Sequence, residues 1–106
     1  MATRTDLGEV RSKVVLAVCC QYGIDYEDVM GRRRTAPVVT ARQVSYWILR
    51  NHFGMSWGQI GSSFGRFRDC ARHGCNRVER KMLHRAGFTA EVDSILAVLG
   101  LKRAVC

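Results

Sequence analysis

The spacing of glycines along the chain constrains the fold more than any other feature of the sequence. Gly23, Gly54, Gly65 and Gly87 each follow a stretch in which apolar residues recur three or four positions apart, and glycine commonly ends a helix. No segment shows the alternation of apolar and polar residues that is typical of a strand. The 106 residues, 47% of them hydrophobic, are enough for one core. The sequence therefore predicts a single all-α domain over residues 1–106, a compact helical bundle with short connections.

Capping and periodicity signals predict six helices. Asp6 with Glu9 and Ser56 with Gln59 have the spacing of N-terminal capping boxes, and Thr89 is predicted to cap the last helix after Gly87 ends the fifth. The predicted ranges are 7–22, 25–30, 37–53, 56–64, 69–84 and 90–103, with a loop over 31–37 before Pro37. The residues predicted to face the core are Val10, Val14, Ala17, Val18, Ala41, Val44, Ile48, Ile60, Phe64, Ala71, Cys75, Val78, Met82, Val92, Ile95, Leu96 and Leu99, with Trp47 or His52 as further candidates.

The positive charge is concentrated in the middle of the chain. Nine arginines and a single acid, Asp69, lie between Gly31 and Val78, so this stretch carries the whole net charge of +8. Arginine is the residue best suited to bidentate contacts with phosphate and guanine, whereas a merely solvated basic surface usually includes lysine. The pattern therefore favours a polyanionic partner, and nucleic acid first of all.

Other classes of function are not supported. The sequence contains neither an apolar run of about 18 residues nor an N-terminal signal, so we expect a cytoplasmic protein without a membrane segment. The odd number of cysteines, 5, fits a reducing compartment. Cys70, His73 and Cys75 do not match a zinc-site spacing, because Cys70 and Cys75 would lie about 140° apart on a helix. With no triad or carboxylate pair at useful spacing, we expect no enzyme activity, no metal and no cofactor.

A short helix, a tight turn at Gly65 and a longer helix together predict a helix-turn-helix over residues 56–84. In such units the N-terminal end of the second helix enters the major groove. The candidates for contact there are Arg66, Arg68, Asp69, Arg72 and His73. Arg68 could read guanine and Asp69 could accept a hydrogen bond from cytosine. An arginine of the 32–34 loop could enter the minor groove.

Four stretches resemble the C-terminal duplex-binding domain of the bacterial replication initiator DnaA. They are Ile24-x-x-x-Asp28-Val-Met-x-Arg-Arg-Arg34, Val38-x-x-Ala-Arg42-Gln43, Ser56-x-x-x-Ile60-Gly61-x-x-Phe64-Gly65-Arg66 and His73-x-Cys75-x-x-Val78-Glu79. Their joint order and spacing make the resemblance specific, and it covers about residues 7–100. It implies a helical bundle similar to the Trp repressor, containing a helix-turn-helix.

The resemblance also implies roles for individual residues. Arg34 corresponds to the minor-groove arginine of the family, with Arg33 beside it, and Arg68 corresponds to the residue that reads bases in the major groove. The residues that correspond to contacts with or near the phosphate backbone are Arg42, Gln43, Arg50, Ser56, Trp57, His73 and Arg77.

The chain departs from the family pattern at the base-reading tip. Asp69 and Cys70 stand where the family has a Thr-Thr pair, and Phe67 stands where it usually has an acid. An aspartate repels phosphate unless it meets a cytosine amine. We therefore expect duplex binding to a sequence other than the usual initiator box. A phosphate-binding loop is also missing from the 106 residues, which argues against a replication initiator acting by itself.

The sequence thus predicts a small, nucleoid-associated transcription regulator that binds double-stranded DNA. The resemblance extends to domains of phage-derived genes and of activators of gene-transfer-agent clusters. RNA polymerase or a second regulatory or DNA-bending protein is a further candidate partner. Two alternatives stay open: a protein-interaction module with non-specific DNA binding, in which the apolar helix 90–103 docks a partner, and a replication-related factor that binds initiator-type boxes.

Overall fold

The computed structural model of the protein describes residues 7–101. This part of the chain is all-α, as predicted. Its helices, in chain order, are α1 (Leu7–Tyr22), α2 (Tyr26–Met30), α3 (Val38–Phe53), α4 (Trp57–Ser63), α5 (Arg68–His84) and α6 (Ala86–Val98). The predicted ranges of the first five are confirmed to within a residue or two. Asp6, the predicted cap of α1, lies outside the described residues, as do residues 102–106.

The long helix α3 is central, because α1, α2, α4 and α5 all pack against it. Its inward side chains Ala41, Val44 and Ile48 are fully buried, and Trp47 is buried as well, whereas His52 is half-buried. The predicted core positions are confirmed, with Met82 and Leu99 packed at the edge of the core. Buried residues that the periodicity did not single out are Val15, Cys19, Val29, Val38, Tyr46, Leu49, Met55 and Phe88.

Helix α5 is held against α3 by a close contact at a glycine. A Cβ atom on Gly74 would lie 2.7 Å from Cδ2 of Tyr46, so only glycine lets the two helices approach this closely. The Tyr46 ring in turn packs edge-on against Phe64, with 4.9 Å between ring centroids. These contacts fix one face of α5 inside the protein and leave the opposite face exposed.

The junction between α5 and α6 differs from the prediction. Gly87 does not end α5, which stops at His84; Arg85 separates the two helices, and Gly87 lies in the first turn of α6. Thr89 is not the cap of α6, because its hydroxyl donates a hydrogen bond to the Met82 carbonyl at 3.1 Å. The last helix therefore begins earlier than predicted and ends at Val98.

Helix α6 closes the bundle at its other side. Val92, Ile95 and Leu96 are buried, as predicted, and α6 packs against both α1 and α5. The Tyr22 hydroxyl at the end of α1 donates a hydrogen bond to Oε1 of Glu91 at 3.0 Å. None of the helices between residues 7 and 101 combines the length and apolar character needed to cross a membrane.

Candidate nucleic-acid interface

The turn between α4 and α5 is tight and closely packed, as a helix-turn-helix requires. Gly65 has a φ of +67°, which glycine adopts without strain, and the Arg66 amide donates to the Gly61 carbonyl at 2.8 Å. A Cβ atom on Gly61 would lie 2.7 Å from the Arg66 carbonyl oxygen and 2.9 Å from that of Phe67. The glycine therefore lets the turn fold directly onto α4.

Helix α5 divides into a buried and an exposed face. Ala71, Gly74, Cys75 and Val78 are buried against the rest of the bundle. All five candidate contact residues within the helix lie on the exposed side: Arg68, Asp69, Arg72, His73 and Arg77. From Arg68 to Arg77 the helix rises about 14 Å, so this face can follow a groove over several base pairs.

The tip of α5 is dominated by an aromatic side chain. Phe67 is 84% exposed, the most exposed large apolar residue of the described chain, and it stands at the N-cap of α5. A cleft separates this tip from the arginine loop, residues 32–34. Among the residues lining the cleft are Arg32, Arg34, Arg66, Phe67, Arg68 and Cys70. Cys70 was not among the candidates for DNA contact, and Arg32 was covered only as one of the three loop arginines, since their place at the cleft depends on packing between distant segments.

The arginine loop is exposed but anchored at its start. Arg32, Arg33 and Arg34 are all exposed, and Nε of Arg33 lies 3.7 Å from Oδ1 of Asp28. The Gly31 carbonyl, immediately before the loop, accepts a hydrogen bond from Nη2 of Arg66 at 2.7 Å. Arg66 is thus half-buried and binds the protein's own backbone.

Arg42 lies inside the protein, although the resemblance assigns it to phosphate. It is 5% exposed. Its Nε donates to the Val29 carbonyl at 2.8 Å, and its Nη2 lies 3.2 Å from the Asp28 carbonyl and 3.1 Å from that of Gly31. Burial, and then the nearby positive charge of Arg66, lower the pKa of Arg42 from its usual value. The phosphate contact stays a prediction, and the described contacts of Arg42 are to backbone carbonyls.

The start of α4 forms a second basic groove with α5. Ser56 and Gln59 make the predicted capping box: the Ser56 side chain accepts from the Gln59 amide at 3.1 Å, and the Gln59 side chain accepts from the Ser56 amide at 2.9 Å. The groove is lined by Ser56, Trp57, Gly58, Arg68, Asp69 and Arg72. The structure therefore brings five of the major-groove and phosphate candidates to one place.

Arg50 reaches the same region from the end of α3. Its guanidinium lies 4.4 Å from the centroid of the Trp57 ring, a cation–π distance, and its Nη1 donates to the Met55 carbonyl at 3.1 Å. Gln43, on α3, is half-buried beside Gly74 of α5. Arg50 and Gln43 are thus placed by the packing of α3, and neither borders the cleft at the tip of α5.

The cysteines of the described chain are free and unequal. Cys75 is buried, and burial raises its pKa to about 12, whereas Cys70 is exposed at the cleft. Burial also raises the pKa of Cys19 to about 11. Within residues 7–101, no three His, Cys, Asp or Glu side chains are grouped closely enough to hold a metal ion.

Comparison with known proteins identifies relatives of this domain. A family model described as the bacterial dnaA protein helix-turn-helix matches residues 12–78, from within α1 to within α5. The chromosomal replication initiator protein DnaA of Thermomicrobium roseum is 29% identical over 87 residues, which are 81% of this chain and 19% of that protein. The DnaA protein of Thermodesulfovibrio yellowstonii is 28% identical over 82 residues, 76% of this chain and 18% of the relative. That of Gloeothece citriformis is 32% identical over 59 residues, 55% of this chain and 13% of the relative. The chain spans less than a fifth of the length of these proteins.

Proposed function

The chain belongs to the bacterial DnaA helix-turn-helix family, and on that premise we propose that it binds double-stranded DNA at a specific sequence as a transcription regulator. The observation that carries the proposal is the exposed face of α5, which presents Arg68, Asp69, Arg72, His73 and Arg77 beside the arginine loop. The same part of the chain holds its entire net positive charge. An exposed basic helix that follows a tight helix-turn-helix turn is suited to the major groove.

The first turn of α5 supplies the base contacts in this proposal. Arg68 donates to O6 and N7 of a guanine, and Asp69 accepts from N4 of a cytosine. Both side chains are exposed and both line the groove shared with α4. Because an aspartate repels a nearby phosphate and accepts from cytosine N4, Asp69 favours an orientation in which the tip of α5 faces a G·C pair.

The phosphate contacts surround these base contacts. Arg72, His73 and Arg77 continue along the exposed face of α5 and contact the phosphates of one strand. Further contacts with or near the phosphate backbone come from the start of α4 and from α3, namely from Ser56, Trp57, Arg50 and Gln43. Across the cleft, Arg34 enters the adjacent minor groove, and Arg33 lies beside it at the backbone. The exposure of the loop supports this assignment.

The regulatory role rests on the tip of α5. Phe67, Arg68, Asp69 and Cys70 are all exposed and form a base-reading surface that departs from the family pattern. Such a surface supports a target sequence distinct from the initiator box. Control of genes near that sequence, including genes of phage or gene-transfer-agent origin, is the biological role that we propose.

Selection from a random duplex pool tests the function directly. The protein is incubated with the pool at about 0.15 M salt, where non-specific phosphate binding is weak, and bound duplexes are sequenced. We expect one enriched motif that contains a G·C pair. The Arg68→Ala variant should relax the preference at one position, whereas Arg85→Ala, at the far end of α5, should leave the motif unchanged.

A folded protein that enriches no motif would overturn sequence-specific binding. The protein-interaction alternative would then gain support from two exposed apolar side chains, Leu83 near the end of α5 and Val98 at the end of α6, which are 82% and 71% exposed. If the enriched motif were the usual initiator box, the replication-related alternative would replace the regulator.

A further inference from the structure

We propose that Arg42 and Arg66 form a clamp on the Gly31 carbonyl that positions the arginine loop against the tip of α5. In this arrangement the two residues act on DNA through the loop and not by touching DNA themselves. The inference rests on the proposed DNA binding and adds a division of labour among the arginines: some meet the duplex, and two hold the others in place.

The first half of the clamp is Arg42, which binds backbone carbonyls at the C-terminal end of α2. The last carbonyls of a helix have no partners within the helix. Arg42 reaches from α3 and donates to Asp28 and Val29 of α2 as well as to Gly31, at 2.8–3.2 Å. One guanidinium therefore fixes both the end of α2 and the point from which the loop departs.

The second half of the clamp comes from the helix-turn-helix turn. Arg66 lies 35 residues further along the chain than Gly31, and its Nη2 donates to the Gly31 carbonyl at 2.7 Å. Its own backbone is held by the 2.8 Å hydrogen bond from its amide to Gly61. The loop is thereby joined to the segment that leads directly into α5.

The convergence of two guanidinium groups on one carbonyl oxygen indicates a specific arrangement. Like charges repel, and the nearby Arg66 contributes to the lowered pKa of Arg42. Both guanidinium groups donate to the Gly31 carbonyl oxygen, whose partial negative charge attracts each of them. Gly31 itself leaves no room for a side chain, since a Cβ atom would lie 2.9 Å from the Glu27 carbonyl oxygen. The loop therefore has one defined point of departure.

A double-mutant cycle distinguishes a positioning role from direct contact. Affinity for the selected duplex is measured for Arg66→Met, for the loop variant Arg33→Ala/Arg34→Ala, and for the combination. Methionine keeps much of the apolar stem and removes the guanidinium. We expect Arg66→Met to weaken binding about tenfold alone and by less than about twofold in the loop variant, because residues that act through one another are not additive.

The matched control is Arg68→Ala, which removes a proposed direct contact on the other side of the same turn. The fold-losses of affinity caused by Arg68→Ala and by the loop variant should multiply when the two are combined. If Arg66→Met also multiplies with the loop variant, the clamp is wrong and Arg66 contacts DNA itself. Should Arg66→Met not fold, Arg66→Lys, which keeps the charge but loses the planar fork, is expected to show the same non-additivity. Failure of the wild-type protein to bind any selected duplex would instead overturn the proposed function.

An independent observation concerns the exposed Phe67 ring. We infer that Phe67 determines specificity by contacting the 5-methyl group of a thymine in the major groove. The ring is 84% exposed although its backbone is fixed: its carbonyl accepts the Cys70 amide at 3.0 Å, and the chain packs on Gly61. Thymine offers the one apolar group on the floor of the major groove, and phenylalanine is among the residues that contact it. The arginines around the cleft favour DNA over an apolar protein partner.

Replacing thymine by uracil, one position at a time, tests this contact because it removes only the methyl group. For the wild type, we expect one or two positions of the selected duplex at which uracil weakens binding about fourfold, the value of burying one methyl-sized group. In Phe67→Ala this sensitivity should vanish. The control Phe53→Ala removes another exposed ring, 40% exposed at the end of α3, and should retain it. Equal uracil sensitivity in the wild type and in Phe67→Ala would overturn the inference, and a protein partner for the ring would then be the better explanation.

Discussion

Two cysteines only five positions apart in α5 show how strongly position on a helix decides chemistry. Cys75 is 2% exposed, and burial raises its pKa to about 12, so its thiol stays protonated and inaccessible. Cys70 is exposed and borders the cleft between the arginine loop and Phe67. The same element therefore carries one inert thiol and one that faces the proposed DNA surface.

Alkylation with iodoacetamide at about pH 8 should separate these thiols. Among the four cysteines that the structure describes, we expect Cys20 and Cys70 to be modified in the native protein, while Cys19 and Cys75 react only after unfolding, as peptide mass spectrometry can establish. Modification should also weaken binding to the selected duplex, because the adduct at Cys70 lies at the edge of the cleft. The Cys70→Ser variant should bind DNA before and after alkylation, whereas Cys20→Ser should remain sensitive. Rapid native labelling of Cys75 would contradict the structure of α5.

Arg42 illustrates a residue whose type is clear and whose role depends on the fold. Its guanidinium serves three carbonyls, of Asp28, Val29 and Gly31, in a buried position. We expect Arg42→Met to lower the free energy of unfolding by about 2–4 kcal/mol, since buried acceptors without a donor cost about 1–3 kcal/mol. Thermal or urea unfolding measures the change.

The matched control for Arg42 is Arg33→Met. Arg33 is exposed, and its charge lies 3.7 Å from Asp28 at the surface, so we expect its loss to change stability by less than about 1 kcal/mol. An unfolding curve of Arg42→Met that superimposes on the wild type would show that the buried hydrogen bonds are dispensable.

At the scale of the elements, the helix-turn-helix depends on the missing side chain of Gly61. A methyl group there would overlap the carbonyl oxygens of Arg66 and Phe67. We expect Gly61→Ala to destabilise the protein by about 1–3 kcal/mol, as overpacking typically does, and to weaken sequence-specific binding by displacing the start of α5. Unfolding curves and affinity for the selected duplex provide the two readouts.

Gly58 provides the control within the same short helix. A Cβ atom on Gly58 would meet only Oγ of Ser56, at an ordinary 3.9 Å. Gly58→Ala should therefore be neutral or stabilise the protein by up to about 1 kcal/mol, because alanine favours the helix. A similar loss of stability in both variants would mean that the close contact of Gly61 with the turn is not the cause of the loss.

Local signals predicted most of these elements, and the exceptions have physical causes. The capping box of Ser56 and Gln59 was recognisable because both partners lie within one turn of chain. Gly87 was misleading, since glycine is tolerated in the first turn of a helix as well as after its end, and α6 begins at Ala86. Thr89 has the chemistry of a cap but uses its hydroxyl on the Met82 carbonyl.

Only part of the candidate site could likewise be predicted from local signals. The exposed face of α5 follows from its own periodicity, so the exposure of Arg68, Arg72 and Arg77 could be predicted from the sequence alone. The partners of Arg42 and Arg66 could not, because the Gly31 carbonyl lies 11 and 35 residues away from them along the chain. Which arginines face outward and which bind the backbone is decided by tertiary packing.

At the scale of the whole molecule, few acids neutralise the basic residues of the interface. Of the nine arginines between residues 31 and 78, Arg33 is the one that forms an ion pair with another described residue, Asp28. The uncompensated charge lies on the arginine loop, on the exposed face of α5 and at the end of α3. Such a distribution attracts the duplex over a distance and makes affinity strongly dependent on salt.

The salt dependence should report how many of these arginines meet phosphate. With about five phosphates neutralised, the slope of log K against log salt concentration is expected to be about −4 to −5. Arg72→Ala and Arg77→Ala should each make the slope shallower by about 0.9, because each removes one phosphate contact. Arg85→Ala lowers the net charge by the same amount, but it lies at the far end of α5, about 25 Å from Arg68, and should leave the slope unchanged. If Arg72→Ala, Arg77→Ala and Arg85→Ala all gave the same slope, binding would depend on the overall charge of the protein and not on a defined face of α5.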